Sequence, residues 1–279
     1  MQAPTIVLIH GLFMTPLSWE HWIDRYEAQG HRVLAPAWPG MEGGVSKLRQ
    51  EPGPIARLSA AAILDHYEQI IRDLDTPPII MGHSFGGAFT QILLDRGVGA
   101  AGVAIDSAAI RGVLDLPLST LRSGLPLLRN PLQRNKAIAL TPKQFHYAFT
   151  NTLSEEESLK VYDRYQVPGS RNVLLEGASA NFNPRTVLRV NYENNDRAPL
   201  LFIAGGRDHL IPSSTNRSNE ARYGNSTAIT AYKEFPDRSH FTLGQAGWED
   251  VADYALNWAS EQAAPAHTNG DPERALKVA

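Results

Sequence analysis

The chain has 279 residues, 43% of them hydrophobic and 20% charged, with Lys+Arg 26 against Asp+Glu 29 and a formal net charge of −3. That balance excludes a disordered chain and gives no basic footprint for nucleic acid or for an anionic membrane surface. Cys is 0, which excludes disulfides, Cys-ligated zinc and iron–sulfur clusters, and the apolar runs are strand-length, short of the roughly 18 residues of a membrane helix.

The opening MQAPTIVLIHG lacks the basic start of a signal peptide, so a cytoplasmic protein is expected. Ile6 to Ile9 reads as a strand ended by His10-Gly11. Ser18 is a candidate N-cap for a helix whose Trp19, Trp22, Ile23 and Tyr26 keep one apolar face, and Gly30 closes it. Arg32 to Ala35 is a second strand, cut by Pro36 and Pro39, and Ala37 to Pro54 reads as a Gly/Pro-rich loop. Ile63, Tyr67, Ile70 and Leu74 line another helix. Ile79 to Met81 is a third strand, Phe85 to Leu94 a helix, and Val103 to Ile105 a fourth strand.

The alternation then breaks. Thr141-Pro142-Lys143-Gln144 and Ser154-Glu155-Glu156-Glu157 are capping boxes, so the segment from Ser107 to Arg197 reads as helical. Its leucine-rich run (Leu114, Leu116, Leu118, Leu121, Leu125, Leu127, Leu128 and Leu132) suits either the wall of an apolar pocket or the packing of this segment on the core. Strands resume at Leu200 to Ala204 and Ala228 to Phe235, and Trp248, Val251, Ala255 and Trp258 mark a last amphipathic helix. The predicted fold is α/β: a mostly parallel sheet of about six strands with helices on both faces. Its core is 1–106 and 198–262, with a helical cap insertion at 107–197 and a flexible polar tail at 263–279.

The chemistry concentrates at strand ends. Gly82-His83-Ser84-Phe85-Gly86 fits G-x-S-x-G and stands between an apolar strand and a helix, where a sharp turn lifts the serine hydroxyl above the sheet edge. A serine hydroxyl is a poor nucleophile at neutral pH, so it needs a base, and the base needs an orienting acid. Asp208 follows the strand ending at Ala204, and His240 follows the last strand. Asp106, at the end of the Val103 to Ile105 strand, is the rival acid. His10 is expected to organise its loop rather than act in chemistry, and His83 to diverge from Ser84 as its neighbour on a sharp turn.

These landmarks, His10-Gly11 after the first strand, the Ser84 elbow, Gly206-Arg207-Asp208 and His240, resemble the α/β-hydrolase superfamily with a helical cap over about Thr5 to Ser260. The resemblance implies Ser84 as nucleophile, His240 as general base and Asp208 as acid, with the backbone N–H groups of Leu12 and Phe85 as the oxyanion hole. Two departures stand out: the chain opens directly on the strand before His10-Gly11, without the family's N-terminal antiparallel strands, and Ser239 stands where many relatives have Gly. The implied activity is cleavage of small or medium, mostly apolar carboxylic esters, with no cofactor and no metal. Lactones and thioesters use the same groups; a cofactor-free perhydrolase, a carbon–carbon hydrolase and a non-enzymatic ligand receptor on this scaffold remain open. A serine elbow argues against epoxide and haloalkane chemistry, which needs a carboxylate nucleophile, and Phe241 beside the histidine argues against a hydroxynitrile lyase. The partner is a small-molecule ester, and the sequence leaves the oligomeric state open.

Overall fold

The computed structural model describes residues 3–115, 117–128 and 135–263. Leu116, Leu132 and positions 264–279 of the tail lie outside the described residues, as do the side chains of Leu125 and Leu128.

Six parallel strands form one sheet: β1 (Ile6–Ile9), β2 (Val33–Leu34), β3 (Ile79–His83), β4 (Ala101–Ile105), β7 (Leu200–Gly205) and β8 (Thr230–Phe235), in the order β2-β1-β3-β4-β7-β8. β1, β3, β4 and β7 are buried along their whole length. That burial is why their sequences run continuously apolar instead of alternating. The strand period still sorts the side chains. Val7, Ile9, Ile80, Ala104 and Phe202 face one core with α4 (Ala60–Arg72) and α5 (Phe85–Asp95). Ile6, Leu8, Met81, Val103 and Ile203 face the other with α1 (Glu20–Ala28) and α11 (Trp248–Ala263).

Between β4 and β7 the chain carries α6 (Leu118–Leu128), α7 (Pro142–Phe149), α8 (Glu155–Tyr165) and α9 (Arg171–Ala178). Both capping boxes form: the Thr141 and Ser154 hydroxyls accept from the Gln144 and Glu157 N–H groups, and each side chain returns to the cap. A two-stranded antiparallel pair, β5 (Ala137–Ile138) with β6 (Gly169–Ser170), ties this segment together. α10 (Ser213–Ala221) follows β7. Among the described residues no helix is long and apolar enough to cross a membrane.

Three local expectations need correction. Ser18 is not the first cap: Thr15 accepts from the Leu17 N–H and starts a 3-10 turn, Pro16–Trp19, that leads into α1. The stretch from Ala37 to Pro54 is not all loop, because α2 (Val45–Gln50) lies within it and α3 (Gly53–Ala56) begins there. Each of these helices buries a single large side chain, Leu48 or Ile55, so neither writes a periodic apolar stripe. The last strand starts at Thr230 rather than Ala228.

The topology sets the site. β1 leads to β2 on one side and the chain then crosses to β3 on the other, so the strand order reverses between β1 and β3. The crevice at the carboxyl ends of such a pair is where ligands bind in open α/β sheets. Gly11-Leu12 leaves β1 and Ser84 leaves β3 on either side of it.

Candidate active site

Ser84 sits between β3 and α5 with φ 58 and ψ −119, a conformation that L residues rarely hold. Its neighbours impose it. The Ser84 N–H donates to the Ile105 carbonyl (2.9 Å), and the Ser84 carbonyl accepts from Gly87 and Ala108 (both 3.0 Å). The turn also needs bare glycines around it. A Cβ on Gly86 would stand 2.1 Å from the Ile9 carbonyl oxygen, and one on Gly82 would stand 2.0 Å from that of Gly86. Strain held by this many contacts is the mark of a functional position.

Asp208 and His240 come together after β7 and β8. His240 Nδ1 donates to Asp208 Oδ2 at 2.6 Å, and both residues are buried. The other carboxylate oxygen, Oδ1, accepts from the Leu210 and Ile211 N–H groups at 2.7 and 2.8 Å. Three donors thus fix the carboxylate's orientation. Burial pulls the His240 pKa down, but the charge and hydrogen bond of Asp208 outweigh it, and the net shift is upward. Its Nε2 is buried and, among the described residues, makes no hydrogen bond. The Ser84 hydroxyl makes none either. Such contacts are often open in a free site and tighten when substrate binds.

The structure does not pair Asp106 with the histidine ring. Asp106 is fully buried with φ 44, and its Oδ1 accepts from the Gly205 N–H at 2.6 Å. Oδ2 has no hydrogen-bond partner among the described residues and lies 3.9 Å from His83 Nε2. Burial, then the Asp208 charge, pushes the Asp106 pKa up to about 8. Between about pH 4 and 8 the unfolded chain loses this proton while the folded chain keeps it, so this residue's contribution to stability falls as pH rises. Asn at this position has no proton to lose. The thermal midpoint of Asp106→Asn is therefore expected to gain on wild type by about 5 °C or more between pH 5 and pH 8. Midpoints measured across that range that keep a constant difference would contradict this.

Two other histidines support the site. His83 Nε2 lies 2.8 Å from the His240 carbonyl oxygen and donates to it, joining the elbow to the histidine loop. Burial lowers the His83 pKa well below the usual value. His10 Nε2 accepts from the Trp38 N–H at 3.2 Å, which puts the ring proton on Nδ1, 3.0 Å from the Gly11 carbonyl. Burial lowers the His10 pKa to about 4, so the ring is neutral at pH 7. Nothing in the residue pattern signals the His83 link, because its partner is a backbone atom 157 residues away.

Ligand atoms of His83, Asp106 and His240 lie within 4.8 Å of one another, a spacing that a metal ion could bridge. His83 Nε2, His240 Nδ1 and Asp106 Oδ1 hold protein hydrogen bonds, while His83 Nδ1, His240 Nε2 and Asp106 Oδ2 hold none among the described residues.

A cavity of about 220 Å³ opens beside Ser84. Leu12 and Phe85 line it, and among the described residues their backbone N–H groups make no hydrogen bond. Its walls are mostly apolar, with Leu121 and Leu127 of α6, Leu174 of α9 and Leu210 after β7. Asp115 also lines it, a polar interruption of the leucine-rich run that the sequence reading passed over.

Epoxide hydrolase B of Mycobacterium tuberculosis (strain ATCC 25618 / H37Rv) is 33% identical over 125 residues, 42% of this chain and 32% of that protein. The matched region thus spans about a third of the length of that curated relative. Among solved structures, an extracellular alpha/beta-hydrolase from a Paenibacillus species superposes with a TM-score of 0.65 at 19% identity, covering 92% of this chain and 98% of that one. The Paleococcus ferrophilus monoacylglycerol lipase gives 0.63 at 19% identity, covering 92% and 94%. At that identity the likeness is one of fold. The family model described as "Alpha/beta hydrolase family" matches residues 6–254, nearly the whole described chain, and this protein belongs to that family.

Proposed function

We propose that the protein is a serine hydrolase that cleaves small or medium, mostly apolar carboxylic esters through an acyl-enzyme on Ser84. The observation that supports the reading is the buried 2.6 Å Asp208–His240 hydrogen bond, with Nε2 unpartnered among the described residues, on a loop that His83 ties to the strained Ser84 elbow. A serine elbow also sets this chain apart from epoxide opening, despite its epoxide hydrolase relative.

In this reading the Ser84 oxygen attacks the ester carbonyl carbon while His240 Nε2 takes the hydroxyl proton. Asp208 holds the ring with its proton on Nδ1 and stabilises the imidazolium that forms. The carbonyl oxygen becomes an oxyanion and accepts from the Leu12 and Phe85 N–H groups, whose value lies in being fixed before the charge develops. Collapse breaks the bond to the alcohol oxygen, which takes the proton from His240. Water then repeats the cycle: His240 deprotonates it as its oxygen bonds to the acyl carbon, the acyl–Ser84 bond breaks with the proton passing from His240 to the Ser84 oxygen, and the acid leaves. The segment 107–197 acts as the cap, with α6 and α9 closing the apolar cavity over the acyl or alcohol group.

Purified protein is expected to hydrolyse p-nitrophenyl esters of medium chain length. The apparent pKa governing kcat/KM should lie above the ordinary histidine value, because the neutral base is required and the His240 pKa is raised. A panel of esters, lactones and thioesters with no turnover of any member would overturn the reading.

A further inference from the structure

The apolar cavity beside Ser84 has one charged side chain in its described lining, the half-buried Asp115. Asp115 precedes α6, and its Oδ2 accepts from the Thr215 hydroxyl of α10 at 3.1 Å. Among the described residues no Lys, Arg or His lies within ion-pair distance of it. The nearby cations are engaged elsewhere. Arg122 of α6 stacks over the Tyr147 ring at 4.2 Å, Arg217 of α10 pairs with Glu234 at 2.8 Å, and Arg222 lies over Tyr192. A second polar group lines the same cavity without a protein partner: Thr120 Oγ1 is buried and makes no hydrogen bond among the described residues.

A carboxylate without a counter-charge among the described residues and an orphaned hydroxyl are poor choices for the wall of a purely hydrocarbon pocket. The buried hydroxyl carries a desolvation cost that a complementary ligand group removes, and the partly exposed carboxylate has a second oxygen to offer such a group. Thr215 binds one of the two Asp115 oxygens and leaves the other without a protein partner among the described residues.

We infer that Asp115 and Thr120 form a recognition point for an organic ammonium group, so that the preferred ester has an apolar chain bearing a protonated amine. The ester part of this statement rests on the reading of Ser84 above, and the ammonium part stands on the cavity alone. The ammonium donates to the free Asp115 oxygen and to the Thr120 hydroxyl oxygen, while its methylene chain runs along Leu121, Leu127 and Leu174.

The test compares p-nitrophenyl 6-aminohexanoate, 6-hydroxyhexanoate and heptanoate, esters of matched length. Wild type is expected to favour the amino ester over heptanoate in kcat/KM by about tenfold or more, as a charge-assisted hydrogen bond allows. Asp115→Asn keeps an oxygen for Thr215, and it should erase that preference, bringing the ratio of the amino ester to heptanoate in kcat/KM to within about twofold of one. Thr120→Val should weaken the preference in the same direction. If Asp115→Asn fails to fold, as read by circular dichroism and thermal midpoint, Asp115→Ser takes its place and should lower the same ratio. Equal rates for amino ester and heptanoate in wild type would overturn the inference. So would a hydroxy ester as good as the amino ester, which would make the site a reader of neutral donors. Hexylammonium and hexanol binding by calorimetry separates this failure from that of the esterase reading. Hexylammonium binding that Asp115→Asn weakens, with no ester turned over, leaves the ammonium site standing and removes the ester.

Discussion

Ser84→Ala is expected to lower kcat for p-nitrophenyl ester hydrolysis by about 10⁴-fold or more while leaving the fold intact. The size follows from the role. In the proposed mechanism no acyl-enzyme forms without the hydroxyl, and what remains is binding plus the two proposed N–H donors acting on direct attack by water. The intact fold follows from the contacts. The Ser84 side chain makes no hydrogen bond among the described residues, and the strain at φ 58 acts on the backbone and Cβ, which alanine shares. A thermal midpoint within about 2 °C of wild type should therefore accompany the loss. A variant that keeps more than a tenth of wild-type turnover would remove Ser84 from the chemistry.

Asp208→Asn is expected to cost about 10³- to 10⁴-fold in kcat, and the hydrogen-bond pattern says why. The Leu210 and Ile211 N–H groups both donate to Oδ1, so the asparagine must keep its carbonyl oxygen there. Its NH2 then faces His240 Nδ1 and donates to it. The ring responds by carrying its proton on Nε2, the nitrogen that takes the serine proton in the proposed mechanism. Asp106→Asn should change kcat/KM by no more than about tenfold, because Asp106 accepts from the Gly205 N–H and not from the ring. The reverse outcome, with Asp106→Asn inactive and Asp208→Asn near wild type, would transfer the acid to the end of β4. Steady-state kinetics of the two variants on one ester decides between them.

Much of this arrangement was legible in the sequence because parallel strands buried on both faces write uninterrupted apolar runs. Ile6 to Ile9, Ile79 to Met81 and Leu200 to Ala204 stand out for that reason, and they locate the strand ends from which Ser84, Asp208 and His240 project. The capping boxes at Thr141 and Ser154 were readable because a cap is a local interaction with a fixed spacing. The short helices α2 and α3 were not, since one buried side chain per element makes no period. The pattern favours Asp208 over Asp106 because Gly205-Gly206-Arg207-Asp208 reads as a loop that projects a side chain. The direction of each carboxylate, which the pattern does not encode, separates the one that meets Nδ1 from the one that meets the Gly205 N–H. His83 and Asp115 act through a backbone carbonyl and a cavity wall, neither of which sequence spacing encodes.

A nucleophilic Ser84 is most directly tested by reaction of the native protein with diethyl p-nitrophenyl phosphate, followed by intact-mass and peptide mass spectrometry. The account predicts a single diethylphosphoryl adduct per chain, mapped to the peptide bearing Ser84, with loss of ester turnover in step with labelling. No adduct, or an adduct on another residue while turnover is lost, would contradict it.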